Sequence, residues 1–251
     1  MTTRTLVPPC ILLLVTCCAP SVSAQTLPSG SSYERAAAGR GGAIEGSVRF
    51  AGEVPRLKVA DDSGVRRPLL EVDATTGGLA DVVLHLVDVP AAQREGGEPW
   101  PLVTIDQEQH TFVPHVVAVR PGQRVAFTNS DPVNHNVRGA SLVAENEFNI
   151  YTGLGGRHER EFVADPRGRP IALGCDIHGW MRGWIYVFDH PWFAVSDRRG
   201  HYRIGGVPAG TWRLVLRQPD GPLAAEQQVT VEEGAVARVD ISFRAADLRS
   251  K

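Results

Sequence analysis

The chain has 251 residues, a formal net charge of -2 and 43% hydrophobic residues. That is enough apolar material for one large or two ordinary packed domains, and the near-neutral balance excludes nucleic-acid binding through bulk charge. The 26 glycines and 18 prolines punctuate many short Val/Ile/Phe runs, the pattern of an all-β protein.

Residues 1–24 read as a secretory signal peptide. Arg4 supplies the positive charge, Ile11-Leu12-Leu13-Leu14-Val15 lies in a short apolar core, and Val22-Ser23-Ala24 offers small residues for cleavage before Gln25. The apolar run is too short for a membrane span, so the expectation is a periplasmic or secreted protein with no transmembrane span in its mature form. Cleavage removes Cys10, Cys17 and Cys18 and leaves Cys175 as the one thiol. A free thiol in an oxidising compartment is exposed to oxidation, and metal ligation is one way to protect it.

Residues 25–41 are small, polar and Gly/Ser-rich, a flexible leader. Ala43 to Phe50 alternates apolar and polar side chains, as a half-buried strand does. Residues 60–78 read as loop with one short strand, and Leu79 to Val89 as the next strand, with His85 inside it as a structural histidine. Residues 90–101 are rich in turn formers and mark a boundary. Strands are then expected over Val103-Thr104-Ile105, Phe112 to Val119, Arg124 to Asn129, Phe148 to Tyr151, Glu159 to Val163, Ile171 to Leu173 and Gly183 to Phe188. The turn Arg120-Pro121-Gly122-Gln123 separates two of them, and His135 falls in the loop after Ser130-Asp131-Pro132. Five further alternating stretches follow between Phe193 and Phe243. Short strands at this spacing make sandwiches or barrels. No amphipathic helix, phosphate-binding glycine loop or Ser/His/Asp order stands out.

The stretch with chemistry in it is Cys175-Asp176-Ile177-His178-Gly179-Trp180-Met181. A thiolate, an imidazole and a thioether at successive spacings of three can wrap around one ion, and His135 can supply a second imidazole from another strand end. Two His, one Cys and a weak Met form the ligand set of a blue-copper electron-transfer site. Zinc also binds Cys and His, although the paired CxxC or HxxxH spacing of structural zinc sites is absent. A Cys/His nucleophile pair is the other reading, without an evident orienting residue.

Together with Arg120 to Asn129 and His135-Asn136-Val137, these residues resemble the cupredoxins, the plastocyanin/amicyanin-like blue copper proteins, over about 102–189. The resemblance implies a Greek-key sandwich with one type 1 copper ion on His135, Cys175, His178 and, axially, Met181. It gives Asn136 the role of tying the two ligand loops together, and makes His178, with Gly179 and Trp180 around it, the surface port for a redox partner. Asp176 departs from the pattern, standing where a small hydroxyl residue is common. His110 and His115 precede Arg120 on the expected strand and read, like His158, His190 and His201, as ordinary sandwich residues. Ser196 to Leu214, with Ile44 to Val48 and Asp81 to Val87, resembles a carboxypeptidase-regulatory-like, transthyretin-like sandwich. That implies a second small β-sandwich formed by 42–90 and 191–245 with the cupredoxin unit inserted in it; two tandem units with an N-terminal extension are the simpler alternative. The expected function is single-electron transfer by a non-enzyme. The alternatives are a copper carrier or sensor, and a β-sandwich binding module without metal.

Overall fold

A computed structural model describes residues 41–54, 58–60, 66–68, 70–94 and 100–248. The expected signal peptide and nearly all of the leader lie outside the described residues. The chain begins with β1 (Gly42–Ala51), β2 (Lys58–Ala60), β3 (Arg66–Pro68), β4 (Val83–Val87) and the single-turn helix α1 (Ala91–Arg94). It continues with β5 (Val103–Glu108), β6 (Thr111–Val113), β7 (Val116–Val119), β8 (Val125–Asn129), β9 (His135–Ala140), β10 (Phe148–Thr152), β11 (Arg157–Arg160), β12 (Ile171–Gly174) and β13 (Arg182–Val187). It closes with β14 (Phe193–Val195), β15 (His201–Val207), β16 (Gly210–Gln218), β17 (Leu223–Val231), β18 (Val236–Arg238) and β19 (Ile241–Arg244). The protein is all-β.

Apart from β2 and β3, which pair only with each other among the described residues, strand pairing sorts these elements into two sets. The central strands form one sheet in the order β10-β9-β12-β13-β7 and a facing sheet in the order β11-β8-β5-β6. The outer strands form β14-β4-β16-β17 and a sheet centred on β1, which pairs with β15, β18 and β19. No ladder among the described residues joins a central strand to an outer one. β4 and β14 are antiparallel neighbours, Phe193 opposite His85, so the central strands occupy the connection between two adjacent outer strands.

Burial follows from this stacking. Val117, Val119, Phe127, Val137, Ile171 and Ile185 fill the space between the two central sheets. Ile44, Val48, Leu84, Leu86, Leu214 and Leu216 fill the space between the outer sheets. Val116, Ala118, Tyr186 and Phe188 face the other way and pack on Val83 and Phe193. β7 and the end of β13 are therefore buried on both faces, which explains their continuous apolar runs. The result is four stacked β layers.

Several boundaries differ from the sequence expectation, each for a local reason. The stretch from Phe112 to Val119 is split between β6 and β7, which lie in facing sheets. The break falls at the cis Val113–Pro114 bond, where proline has no N–H to offer a ladder. The strand expected from Leu79 shrinks to β4 because Asp81 and Asp88 adopt positive φ of 61° and 58°. The strand expected at Glu159 starts two residues earlier as β11. His135 opens β9 rather than lying in the loop before it.

Candidate metal centre

Three neighbouring strands bring the site together. β9 pairs antiparallel with β12, Gly174 opposite Arg138, and β12 pairs antiparallel with β13, Gly174 opposite Arg182. The first residue of β9, the residue after β12 and the residue before β13 thus lie at one end of one sheet. Those residues are His135, Cys175 and Met181. His178 comes from the loop between the last two, whose turn is closed by the Met181 N–H donating to the His178 carbonyl at 2.9 Å.

The side chains converge. Cys175 Sγ lies 3.9 Å from His135 Nδ1 and 3.8 Å from His178 Nδ1, and the two Nδ1 atoms are 2.9 Å apart. A point equidistant from the three atoms lies about 2.1 Å from each, inside the range of roughly 2.0–2.3 Å for zinc–nitrogen and zinc–sulfur bonds. His135, Cys175 and His178 are the one such group of His, Cys, Asp or Glu among the described residues. Met181 is 2% exposed and shares the central core with Cys175. His135 is fully buried and Cys175 nearly so, whereas His178 is half-buried and Gly179 exposed. This donor set fits a soft or borderline metal ion: one thiolate, two imidazoles and a neighbouring thioether suit copper and leave little for a hard cation.

A hydrogen-bonded layer fixes these groups from behind. Because side chains alternate along β9, His135 points into the sandwich while Asn136 points out toward the metal loop. Asn136 Oδ1 accepts the Asp176 N–H at 2.8 Å and the Cys175 thiol at 3.3 Å. Its Nδ2 donates to Asn149 Oδ1 at 2.7 Å and to Asp176 Oδ2 at 3.0 Å. The Asp176 carboxylate also accepts from Asn149 Nδ2 at 2.9 Å and pairs with Arg138 Nε at 3.0 Å. Asp176, out of place by the family pattern, thus turns away from the sulfur and anchors the loop to β9 and β10.

Asp131 holds the other side. Its carboxylate accepts from His135 Nε2 at 2.9 Å and from the N–H groups of Gln109 and His110 at 2.6 and 2.8 Å. Burial works to raise this carboxyl. The His110 N–H, the His135 ring and the Gln109 N–H outweigh it and hold the group below its ordinary value. The same contacts bring the His110 ring edge-on to His178 and His135, with centroids 4.9 and 5.4 Å away. Trp180 packs against His178 as well, with centroids 5.2 Å apart, and stacks on His110 at 6.2 Å.

Of the other histidines, His115 bridges the two strand sets through Asp220 at 2.7 Å. His85 and His190 sit in an aromatic stack with Phe188. Sequence reasoning passed over Asp131, Asn149 and the packing role of His110. A periodicity argument could have found only the first, as an acid four residues ahead of a metal-type histidine.

No family model matches the sequence, and no curated protein is similar to it. Among solved structures the chain is similar in part to a copper-containing nitrite reductase from Thermus scotoductus SA-01. The two share 26% identity at a TM-score of 0.32, over 41% of this chain and 25% of that one. It is also similar to amicyanin, in an oxidised variant, at 18% identity and a TM-score of 0.31, over 41% of this chain and 90% of that one. A third likeness is to a purple cupredoxin from Nitrosopumilus maritimus, at 22% identity and a TM-score of 0.29, over 34% of this chain and 99% of that one. This chain spans a quarter of the nitrite reductase's length. The functional reading rests on the side chains. No helix of the described residues is long and apolar enough to cross a membrane.

Proposed function

We propose that the protein is an exported, periplasmic or secreted copper protein that carries single electrons. One copper ion would sit on His135, Cys175, His178 and Met181. When bound, copper supplies a one-electron couple, tuned by the weak thioether. The observation that carries this reading is the Nδ1/Nδ1/Sγ triangle of metal-bonding size, buried beside a methionine and built on three adjacent strands. The protein's own residues set two conditions for rapid transfer. The sheet register and the Asn136 and Asp131 networks hold the donors in place whatever the charge at the centre. His178, alone among the four, reaches the surface, so a redox partner would dock over it, against Gly179, Ile177 and Trp180. We take the outer sandwich to be a carboxypeptidase-regulatory-like scaffold with no chemistry of its own, and the whole chain to be a carrier rather than an enzyme.

The test is a copper titration of the purified protein followed by visible absorption. The expected result is an intense thiolate-to-copper band at one equivalent, absent from Cys175→Ser. A colourless Cu(II) complex, or a Cys175→Ser protein of the same colour, would refute the proposal. The copper-carrier alternative is separated by exchange: three ligands at 0%, 4% and 2% exposure should release copper to a chelator slowly, and rapid release would favour the carrier.

A further inference from the structure

A buried carboxylate outside the ligand set organises the centre. Asp131 is 4% exposed and its backbone is pinned, its N–H lying 3.2 Å from the Gln107 carbonyl and 3.0 Å from Asn129 Oδ1. Its two oxygens meet donors from two elements. One accepts the Gln109 N–H; the other accepts the His110 N–H and His135 Nε2. Gln109 and His110 form the turn between β5 and β6, both at positive φ, 52° and 57°. This left-handed conformation is costly for residues with a Cβ, and two charge-assisted hydrogen bonds offset the cost. The turn so held delivers the His110 imidazole against His178.

We propose that Asp131 is the positioning residue of the metal centre: it fixes the His135 proton on Nε2, which frees Nδ1 to ligate, and through the β5–β6 turn it holds His110 as a wall against His178. A neutral imidazole has one donor and one acceptor nitrogen, and an ionised carboxylate can only accept. Facing Asp131, Nε2 must therefore carry the proton, and the Nδ1 lone pair points at Cys175 Sγ and His178 Nδ1. The other tautomer would place a proton where the ion belongs. The wall matters because His178 stands on a loop and no strand fixes it. His110 and Trp180, stacked on each other with centroids 6.2 Å apart, both pack against the His178 ring and confine its orientations. The identity of the metal rests on the copper reading; the tautomer does not.

The experiment uses the full mature chain. Long-range proton–nitrogen correlation spectra of the metal-free protein locate the His135 proton, and Co(II) titration then gives affinity. The wild type should carry the proton on Nε2. Asp131→Leu removes the acceptor facing that nitrogen, so the proton should no longer be held on Nε2 and Co(II) affinity should fall roughly 10–100-fold. His110→Ala should keep the tautomer and release Co(II) to EDTA about tenfold faster. A wild-type proton on Nδ1, or an Asp131→Leu protein with unchanged tautomer and affinity, overturns the proposal. If Asp131→Leu does not fold, the wild-type tautomer and the His110→Ala release rate decide, and an Nδ1 proton or an unchanged rate overturns it. A wild type that keeps its Nε2 proton yet binds neither Co(II) nor Cu(II) refutes the copper reading and the ligand-positioning role with it, and is told apart from a tautomer failure by the metal-free spectrum alone.

Discussion

Asn136→Ala removes a side chain that, together with Asp176, joins β9, β10 and the metal loop. Asn136 is 7% exposed. Its loss leaves the Asp176 N–H, bonded at 2.8 Å, without an acceptor, and removes both donors of the amide. The Asp176 N–H is part-buried, so leaving it unsatisfied costs toward the low end of roughly 1–3 kcal/mol, and the lost buried bond to the Cys175 thiol adds about 1 kcal/mol. The bonds to Asn149 and Asp176 reach solvent and are discounted, because water replaces the lost partner. The expected cost is about 2 kcal/mol. For a cooperative unit of this size that is a fall in Tm of about 4–8 °C. The assay is thermal unfolding of the metal-free protein by circular dichroism, run beside Co(II) titration. Both stability and affinity should fall, the latter about tenfold, because the freed loop carries Cys175 and His178. A metal-free Tm within 1 °C of the wild type, or a stability loss with full affinity, would refute the claim that Asn136 couples loop order to the site.

Three other outcomes follow from the structure. Burial works to lower the His115 imidazole, but the bond to Asp220, the charges of Asp220 and Asp81 and a bond to the Arg182 backbone outweigh it and raise its pKa; the folded value thus exceeds the unfolded one. Its stabilisation is complete below the ordinary histidine value of about 6.5 and is lost as pH rises through the folded value, so Tm should decline on the alkaline side; Asp220→Asn should diminish that step, with the Asp81 charge and the Arg182 backbone still acting on the imidazole, and an unchanged pH profile would refute the assignment. Phe127, fully buried against Phe148 and Phe162 at 5.3 and 6.4 Å, should cost about 3–5 kcal/mol as Phe127→Ala in denaturant unfolding. Residues 102–189 expressed alone should self-associate on size exclusion, because Tyr186 and Phe188 lose their cover and contiguous apolar patches associate; a monomer with the full chain's Tm would show that the outer sandwich adds nothing.

Much of this was legible in the sequence, for reasons that differ by element. The all-β class follows from alternation along stretches such as Ala43 to Phe50 and from the glycine and proline punctuation between them. Cys175-x-x-His178-x-x-Met181 is visible because a single loop carries three donor types, and local spacing is what a sequence displays. His135 needed more, since only the β9–β12 ladder brings it across forty positions. What the sequence hid was the layer behind the ligands. Asp131 looks like a turn residue in Ser130-Asp131-Pro132, and it is one; its second role appears only when the β5–β6 turn folds over it. His110 reads as a strand histidine because nothing local shows that Gln109 and His110 both turn left-handed. The stretch from Phe112 to Val119 reads as one strand because Pro114 and His115 stand in an otherwise apolar run, and periodicity cannot tell a strand buried on both faces from two strands in facing sheets.

The distribution of restraint within the site bears on what it can do. His135, Cys175 and Met181 are each adjacent to or part of a strand in one sheet, so their backbones are fixed by the β9–β12–β13 register. Moving any of them means breaking ladder bonds and opening a packed core, and such cores switch between discrete states rather than yield gradually. His178 differs: its position depends on one turn bond, on Asn136 through the loop, and on the rings of His110 and Trp180. On the proposed reading, an ion would enter or leave at His178, and an electron from a partner would meet the same imidazole first. A carrier that hands over its ion would need this wall to open, whereas an electron carrier needs it shut. On the role proposed for Asp131, the three N–H donors on its buried carboxylate, two of them on left-handed backbone, would keep this wall in place, which favours the electron-carrier reading over the exchanging one.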